Sequence, residues 1–446
     1  MTLSTISHPL KLRIITSSNE LVVPLPNPDQ TNIKPSFGKS EPAGLYDLYN
    51  IAVAMHEIER LLHSSAKIRK DIKEVILPIT HETLRDMDQK AVCNILGELS
   101  LAIFSRNIEF GFESCSDYQS GLDREYCEYN AVCLFSGGAD SFVGVLDSKG
   151  RYHDILALNV RHDFSSKVNG YVTRLNDSLL SPECIPLESF DVPKQIGKGY
   201  SQTRGILYQA CAGISAFRHS SKKVVLSECG TTIYQPHFGL FDRVTYTSDP
   251  LVQMASKKLV RELLDYKLEI VTPFEGSTKS EMFASSRHKE QLRDTFSCIS
   301  SRFGSNLGCC YGCAIRRIGF LVAGVEDCQY DYDLFSIEDN NILTHYGRGK
   351  GAGRMTDFLE LMRFSLDVLV DYESIHPVKR RRIEQHHKKD LFRRFSLDTF
   401  AALSIASENG HIRNSRLRRA YADAMNYICK SDLEERIERV RELTND

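Results

Sequence analysis

The sequence predicts an α/β protein built on a doubly wound parallel sheet, with an N-terminal α+β domain and a helical C-terminal extension. Three observations predict it. An apolar run, Ala131-Val-Cys-Leu-Phe135, enters a glycine turn, Ser136-Gly137-Gly138-Ala139-Asp140-Ser141, and continues as an apolar segment to Leu146, the pattern of strand, tight turn and helix. Continuous apolar runs then alternate with helical stretches, as parallel strands buried on both faces require. From about residue 331 the pattern is mostly helical. The expected divisions are residues 1–128, 129–330 and 331–446.

A chain of 446 residues can hold two or three domains with a substantial core. With 42% hydrophobic and 26% charged residues and a net charge of −2, it reads as soluble and globular, and no uniform nucleic-acid coat is implied. The start carries no cationic leader with an apolar core, and no apolar run reaches about 18 residues, so a cytoplasmic location is expected and a membrane span is not. Thirteen cysteines, scattered except for one cluster, favour reduced thiols over a disulfide framework. The lack of an internal repeat argues against a solenoid.

In the first division, Leu10–Thr16 reads as a strand, and the stretch bearing Pro24, Pro26, Pro28, Pro35 and Pro42 reads as loop. Leu48, Ile51, Met55, Ile58 and Leu62 mark one face of an amphipathic helix. His56 and His63 on that helix read either as solvated or capping groups or as a paired ligand site. A strand at Ile72–Ile79, a helix at Lys90–Phe104 and a strand at Asn107–Phe112 complete the division, which carries no recognisable chemistry.

The glycine turn of the second division suits a phosphate. Adjacent glycines permit positive φ and close backbone approach, Asp140 or Ser141 can cap the following helix, and its N–H groups face an anion, with hydroxyls from Ser136 and Ser141 added. An ordinary strand–turn–helix joint accounts for the same residues. Asp154–Val160 reads as a buried strand that delivers Arg161 and His162 to its carboxyl end, where ligands bind in such sheets. Gln202–Phe217 reads as a helix with Arg204 near its start, and Lys223–Gly230 as a strand and switch loop that turns Glu228 toward the same crevice. Thr231–Gly239, with Gln235, reads as a loop of aromatic, amide and imidazole groups open to a flat heterocycle. Ser277 or Thr278 caps a further helix, where Lys279 opposes the helix dipole unless an anion lies nearby.

Cys298, Cys309, Cys310 and Cys313 form the cysteine cluster. Four thiolates can hold a tetrahedral zinc, and Cys310-Tyr-Gly-Cys313 has knuckle spacing, although adjacent cysteines seldom reach one metal together. Unliganded buried thiols are the other reading. In the third division, Phe358–Val370, Asp390–Ile405 and Arg413–Leu443 read as helical. Lys379–Arg382 and His386–Lys389 form a basic cluster that reads as a solvated face or as a contact for RNA or an acidic partner; direct nucleic-acid binding is not expected.

The turn resembles the PP-loop signature SGGxDS of the ATP pyrophosphatase superfamily, and residues 129–328 resemble the 7-cyano-7-deazaguanine synthase (QueC) family. The resemblance is carried by Ser136–Ser141, by Asn159-Val-Arg-His162, by Thr278-Lys-Ser-Glu281 and by Cys313-Ala-Ile-Arg-Arg-Ile-Gly-Phe320 with Ala-Gly-Val-Glu-Asp327. It implies an adenine nucleotide alpha hydrolase-like domain that binds ATP and Mg²⁺. Ser136, Gly137, Gly138, Ala139 and Ser141 would hold phosphates and Asp140 the metal, Lys279 and Arg161 would be the catalytic cations that offset the growing negative charge, with Asp140 and Ser141 also catalytic, and Arg161 and His162 would line the nucleotide site. Glu228, Gln235 and Arg204 would contact a 7-deazaguanine substrate, and Cys298, Cys310 and Cys313 would hold Zn²⁺ with Leu307 where the family has a cysteine, so that the fourth ligand is Cys309, another group or absent. The flanking divisions resemble the longer QueC-like proteins of bacterial antiviral defence operons, the QatC type. They imply adenylation of a 7-deazaguanine carboxylate and its transfer to ammonia or to an amine on a partner protein from the same operon. A nucleotide-binding scaffold and a tRNA-modifying PP-loop enzyme are the alternatives.

Overall fold

The computed structural model describes residues 10–17, 19–25, 37, 40–64, 71–115, 125–162, 166–192, 202–236, 246, 248–298, 306–338 and 347–443. Strands β1 (Lys11–Thr16) and β2 (Glu20–Pro24) form an antiparallel hairpin with Leu12 opposite Val23. The stretch expected as loop thus begins as a strand. Its run Leu21-Val-Val has the β-branched character of one, and Pro24 closes an edge strand where its missing N–H is tolerated. Pro26, Pro28 and Pro35 lie outside the described residues.

Helix α1 (Ala43–Ser64) follows the expected periodicity but is buried on nearly every side, with Asp47, Asn50, His56, Glu57 and Glu59 inside as well as the apolar stripe. The amphipathic expectation fails because α1 is clasped between its own sheet and two helices further along the chain. His63 is exposed, whereas His56 is buried with Nδ1 3.4 Å from Thr203 Oγ1, so the pair is neither jointly solvated nor a joint ligand site. Strand β3 (Ile72–Thr80), helices α2 (His81–Asp86) and α3 (Gln89–Phe104) and strand β4 (Glu109–Cys115) follow, with β3 and β4 parallel; the sheet order is β2-β1-β3-β4.

The second sheet is entirely parallel. In chain order its elements are β5 (Ala131–Leu134), α4 (Ala139–Tyr152), β6 (Ile155–His162), α5 (Ser166–Leu175), β7 (Leu187–Val192), α6 (Arg204–Arg218), β8 (Lys223–Val225), the short α7 (Gly230–Ile233), α8 (Pro250–Leu264) and β9 (Glu269–Val271). The strand order β7-β6-β5-β8-β9 reverses between β5 and β8, the switch point at whose carboxyl ends such sheets bind ligands. Side chains alternate between the two faces. Ala131, Cys133, Ile155, Ala157 and Val225 enter one core, while Val132, Leu156, Leu158 and Val224 enter another.

Each face is covered by a flank of the chain. The core with Val132 is shared with α1, α3, α6 and α8. The core with Cys133 is shared with α9 (Lys279–Ala284), α10 (Tyr311–Ala323) and the C-terminal helices α11 (Gly347–Val370), α12 (Pro377–Gln385), α13 (Lys389–Glu408), α14 (Ser415–Ala424) and α15 (Lys430–Glu442). Glu59 of α1 accepts from the N–H groups of Gln202 (2.7 Å) and Thr203 (3.0 Å), capping α6 from a distant element. Among the described residues no helix is long and apolar enough to cross a membrane.

Candidate functional site

The turn between β5 and α4 sits at the reversal of strand order. Gly137 has φ +76°, the left-handed region that favours glycine, and a Cβ there would lie 3.1 Å from Val172. Gly138 is the N-cap of α4 and makes no side-chain cap; Asp140 and Ser141, expected as caps, lie inside the first turn. The turn is bonded to itself. Ser141 Oγ donates to the Gly138 carbonyl (2.9 Å) and accepts from the Ser136 N–H (3.2 Å), and the Gly138 N–H donates to Ser136 Oγ (3.3 Å). From outside, the Phe296 N–H donates to the Gly137 carbonyl (2.9 Å), and Asn159 Nδ2 to the Phe135 carbonyl (2.7 Å). A Cβ at Gly144 would fall 1.8 Å from Ser227 Oγ, so α4 lies directly on the segment after β8 and brings Glu228 beside the turn.

Lys279 Nζ donates to both carboxylate oxygens of Asp140, at 2.5 and 2.7 Å. Asp140 is thus the anion that a lysine in the first turn of α9 requires. Thr278 caps α9 and forms a reciprocal capping box with Glu281, as the spacing of these residues allows. Burial opposes the charge on Lys279, yet Asp140, Cys229 and Glu228 hold its pKa above the usual lysine value. Burial raises the pKa of Glu228, and the Ser248 hydroxyl donates to its carboxylate. Cys229, also raised by burial, lies 3.2 and 3.3 Å from the Thr231 and Thr232 hydroxyls. Cys229 and the buried Tyr311 beside it were not expected at the site, because Cys229 stands apart from the cysteine cluster and Tyr311 is a spacer position within the Cys310–Cys313 knuckle.

The other expected residues lie in different surroundings. Arg161 forms a two-pronged pair with Asp191 (2.5 and 2.6 Å), its register partner on β7. The side chain of His162 lies outside the described residues. Arg204 opens α6 and bonds to Tyr208. Gln235 is buried just after α7, where a plain loop was expected, and its carbonyl accepts from Arg382 Nε (2.9 Å). His237, Phe238 and Gly239 fall outside the described residues.

Cys298 and Cys313 flank Cys310, with sulfurs 3.7 and 3.4 Å from it, and all three lie within 4.8 Å of one another. Cys309 belongs instead to the large core that contains α10 and α13, and Leu307 packs against the three sulfurs. Mutual hydrogen bonding and burial push the Cys298 and Cys313 thiols up, because neighbouring thiolates repel without a cation between them. A buried set of soft sulfur donors this close fits zinc, with three ligands among the described residues. The segment leading to Cys298 is anchored by Arg316, which is wholly buried, pairs with Asp327 (3.0 Å) and donates to Thr295 Oγ1 (2.5 Å) and to the Leu292 carbonyl (3.0 Å).

The basic cluster is largely taken up within the chain. Lys379 pairs with Glu360 (2.6 Å), Arg380 with Glu373, Arg382 with Asp249 (2.7 Å) and Lys388 with Glu275 (3.9 Å). Arg394, Arg436 and Asp398 also gather at Glu281, and none was expected from the sequence. A signal was present, since Arg436 lies on the buried stripe of Leu433 and Val440, and Asp398 on that of Leu391, Phe395 and Ala402. No protein-family model matches the chain.

Proposed function

We propose that the chain is a PP-loop ATP pyrophosphatase of the QueC-like type that adenylates a carboxylate, with a 7-deazaguanine acid as the substrate class. The observation that carries this reading is the self-bonded glycine turn at the reversal of strand order, faced by Lys279, Asp140 and Glu228. N–H groups of the turn and the start of α4 would bind ATP phosphates. A substrate carboxylate oxygen attacks the α-phosphorus as the bond to the β-phosphate oxygen breaks, yielding an acyl adenylate and pyrophosphate. Ammonia, or an amine of a partner protein from the same operon, then attacks the acyl carbon, AMP leaves, and the amine proton passes to a base.

Lys279 neutralises charge on the departing phosphates, and its bond to Asp140 keeps it directed at the turn until ATP arrives. Asp140 supplies hard oxygen donors suited to Mg²⁺, which when bound would offset phosphate charge. Glu228, neutral more readily than an ordinary carboxylate, can donate as well as accept at the edge of a heterocycle. Cys298, Cys310 and Cys313 would hold zinc in a structural role, keeping in place the segment whose Phe296 N–H holds the Gly137 carbonyl.

A second reading, a nucleotide-binding scaffold without turnover, is favoured by one observation: both Lys279 and Arg161 are closed on carboxylates. One experiment separates the two. Full-length protein is incubated with ATP, Mg²⁺ and 7-carboxy-7-deazaguanine, with and without ammonia, and AMP, pyrophosphate and amidated product are followed by mass spectrometry. Release of AMP with pyrophosphate is expected. Its failure under every acceptor condition overturns the enzyme reading in favour of the scaffold.

A further inference from the structure

Helix α9 is six residues long. So short a helix does not hold itself together in water, because the cost of its first turn is spread over too few hydrogen bonds. Whatever aims Lys279 must therefore come from other elements. One side is set by α10, where a Cβ at Gly319 would lie 3.1 Å from Lys279 Cγ and 3.0 Å from the Phe283 ring, so glycine leaves a lane for the lysine stem. The other side is set by the C-terminal helices. Arg436 of α15 pairs with Glu281 at 2.8 Å and donates to Thr278 Oγ1 at 3.3 Å, and Arg394 of α13 pairs with Glu281 and donates to the Gly276 carbonyl at 2.8 Å. Arg436 is in turn held by Asp398 at 2.7 Å, and the two side chains are only 4% and 1% exposed.

We infer that Arg436, oriented by Asp398, is a positioning residue for Lys279. It grips Thr278 and Glu281, the two residues that bracket the lysine and close the capping box, and so sets the direction in which the ammonium leaves α9. Burying this charge cluster costs desolvation that a leucine would avoid, so stability alone does not account for an arginine on the apolar stripe of α15. Directional bonds to both bracketing residues do account for it. The consequence for catalysis rests on the role proposed above for Lys279, whereas the positioning itself does not.

The test uses full-length Arg436→Met and Arg436→Lys. Amine acylation at Lys279 is measured by mass spectrometry, with the exposed Lys90 as internal reference. Arg436→Met should raise Lys279 labelling relative to Lys90 by about tenfold, as a locally opened segment becomes accessible, and Arg436→Lys by less. In the AMP assay kcat should fall roughly 10- to 100-fold in Arg436→Met with KM for ATP changed less than about threefold, and Arg436→Lys should recover part of the loss. Should Arg436→Met fail to fold, Asp398→Asn should give the same two changes in smaller measure. Unchanged labelling and unchanged kcat in a folded variant overturn the inference. If the wild type makes no AMP, the proposed function falls, and the labelling alone decides whether Arg436 positions Lys279.

Discussion

The N-terminal flank reaches the parallel sheet with carboxylates, whereas the C-terminal flank reaches it with guanidiniums. On the first side Glu59 caps the start of α6, where the helix dipole favours negative charge, and Glu41 pairs with Arg218 near the end of the same helix (2.7 Å). On the second side Arg394 and Arg436 hold Glu281, and Arg382 holds Asp249 together with the carbonyls of Ile233 and Gln235. The N-terminal contacts fall on a helix that packs behind the sheet. The C-terminal contacts fall on α9, which carries Lys279 beside the turn, and on the segment of Gln235 after α7, whereas the candidate on α6, Arg204, bonds to Tyr208 of its own helix. The first flank therefore supports the scaffold, and the second supports the geometry of the site.

The strongest test of that contrast starts from Asp140, the carboxylate on which Lys279 closes. Asp140→Ala should reduce AMP formation below about 1% of wild type with the circular dichroism spectrum unchanged, and retained activity would remove Asp140 from the metal and phosphate assignment. Next in size is the C-terminal grip. Glu281→Gln removes the carboxylate that Arg394 and Arg436 share, leaving Arg436 with Asp398 and Arg394 with Asp390, and should cost roughly 3 kcal/mol at neutral pH by chemical denaturation. This cost should depend on pH. Burial would raise the Glu281 pKa, but Arg436 and Arg394 outweigh it and hold the pKa below its ordinary 4.5, so the stabilisation is complete above that value and lost as pH falls through the folded pKa. The gap in melting temperature between wild type and Glu281→Gln should accordingly narrow below pH 4.5, and a constant gap would count against the charge argument.

The cysteine cluster belongs to neither flank and sharpens the contrast from outside it. Cys313→Ser should lose bound zinc, whereas Cys309→Ser should keep it, as read by elemental analysis of freshly purified protein. Equal zinc in both variants would place the metal elsewhere. The smallest effect is expected at the N-terminal flank. Glu59→Ala should cost about 1–2 kcal/mol of stability through the lost cap while AMP formed per folded molecule stays within about twofold of wild type. A kcat loss as deep as that of Arg436→Met would erase the distinction between the flanks.

By itself the sequence determined the features that repeat within a few residues. The strand, glycine turn and helix at 131–152, the buried strand that carries Arg161 and His162 at its carboxyl end, a helix start at Ser277 or Thr278 and the Cys310–Cys313 spacing were all legible, because local hydrogen bonding and side-chain period write them directly into neighbouring positions. Tertiary structure decided the partners. Lys279 meets an aspartate 139 positions earlier, Arg436 meets a threonine 158 positions earlier, and His56 is buried because α6 packs over it. Cys309 and Cys310 are adjacent, yet one enters the large core and the other the sulfur cluster, since the backbone at Cys310, the N-cap of α10, is extended and sends successive side chains to opposite sides. No local period encodes which distant charge will face a given one. That depends on which helices share a face of the sheet, and burial makes each such choice strong once it is made.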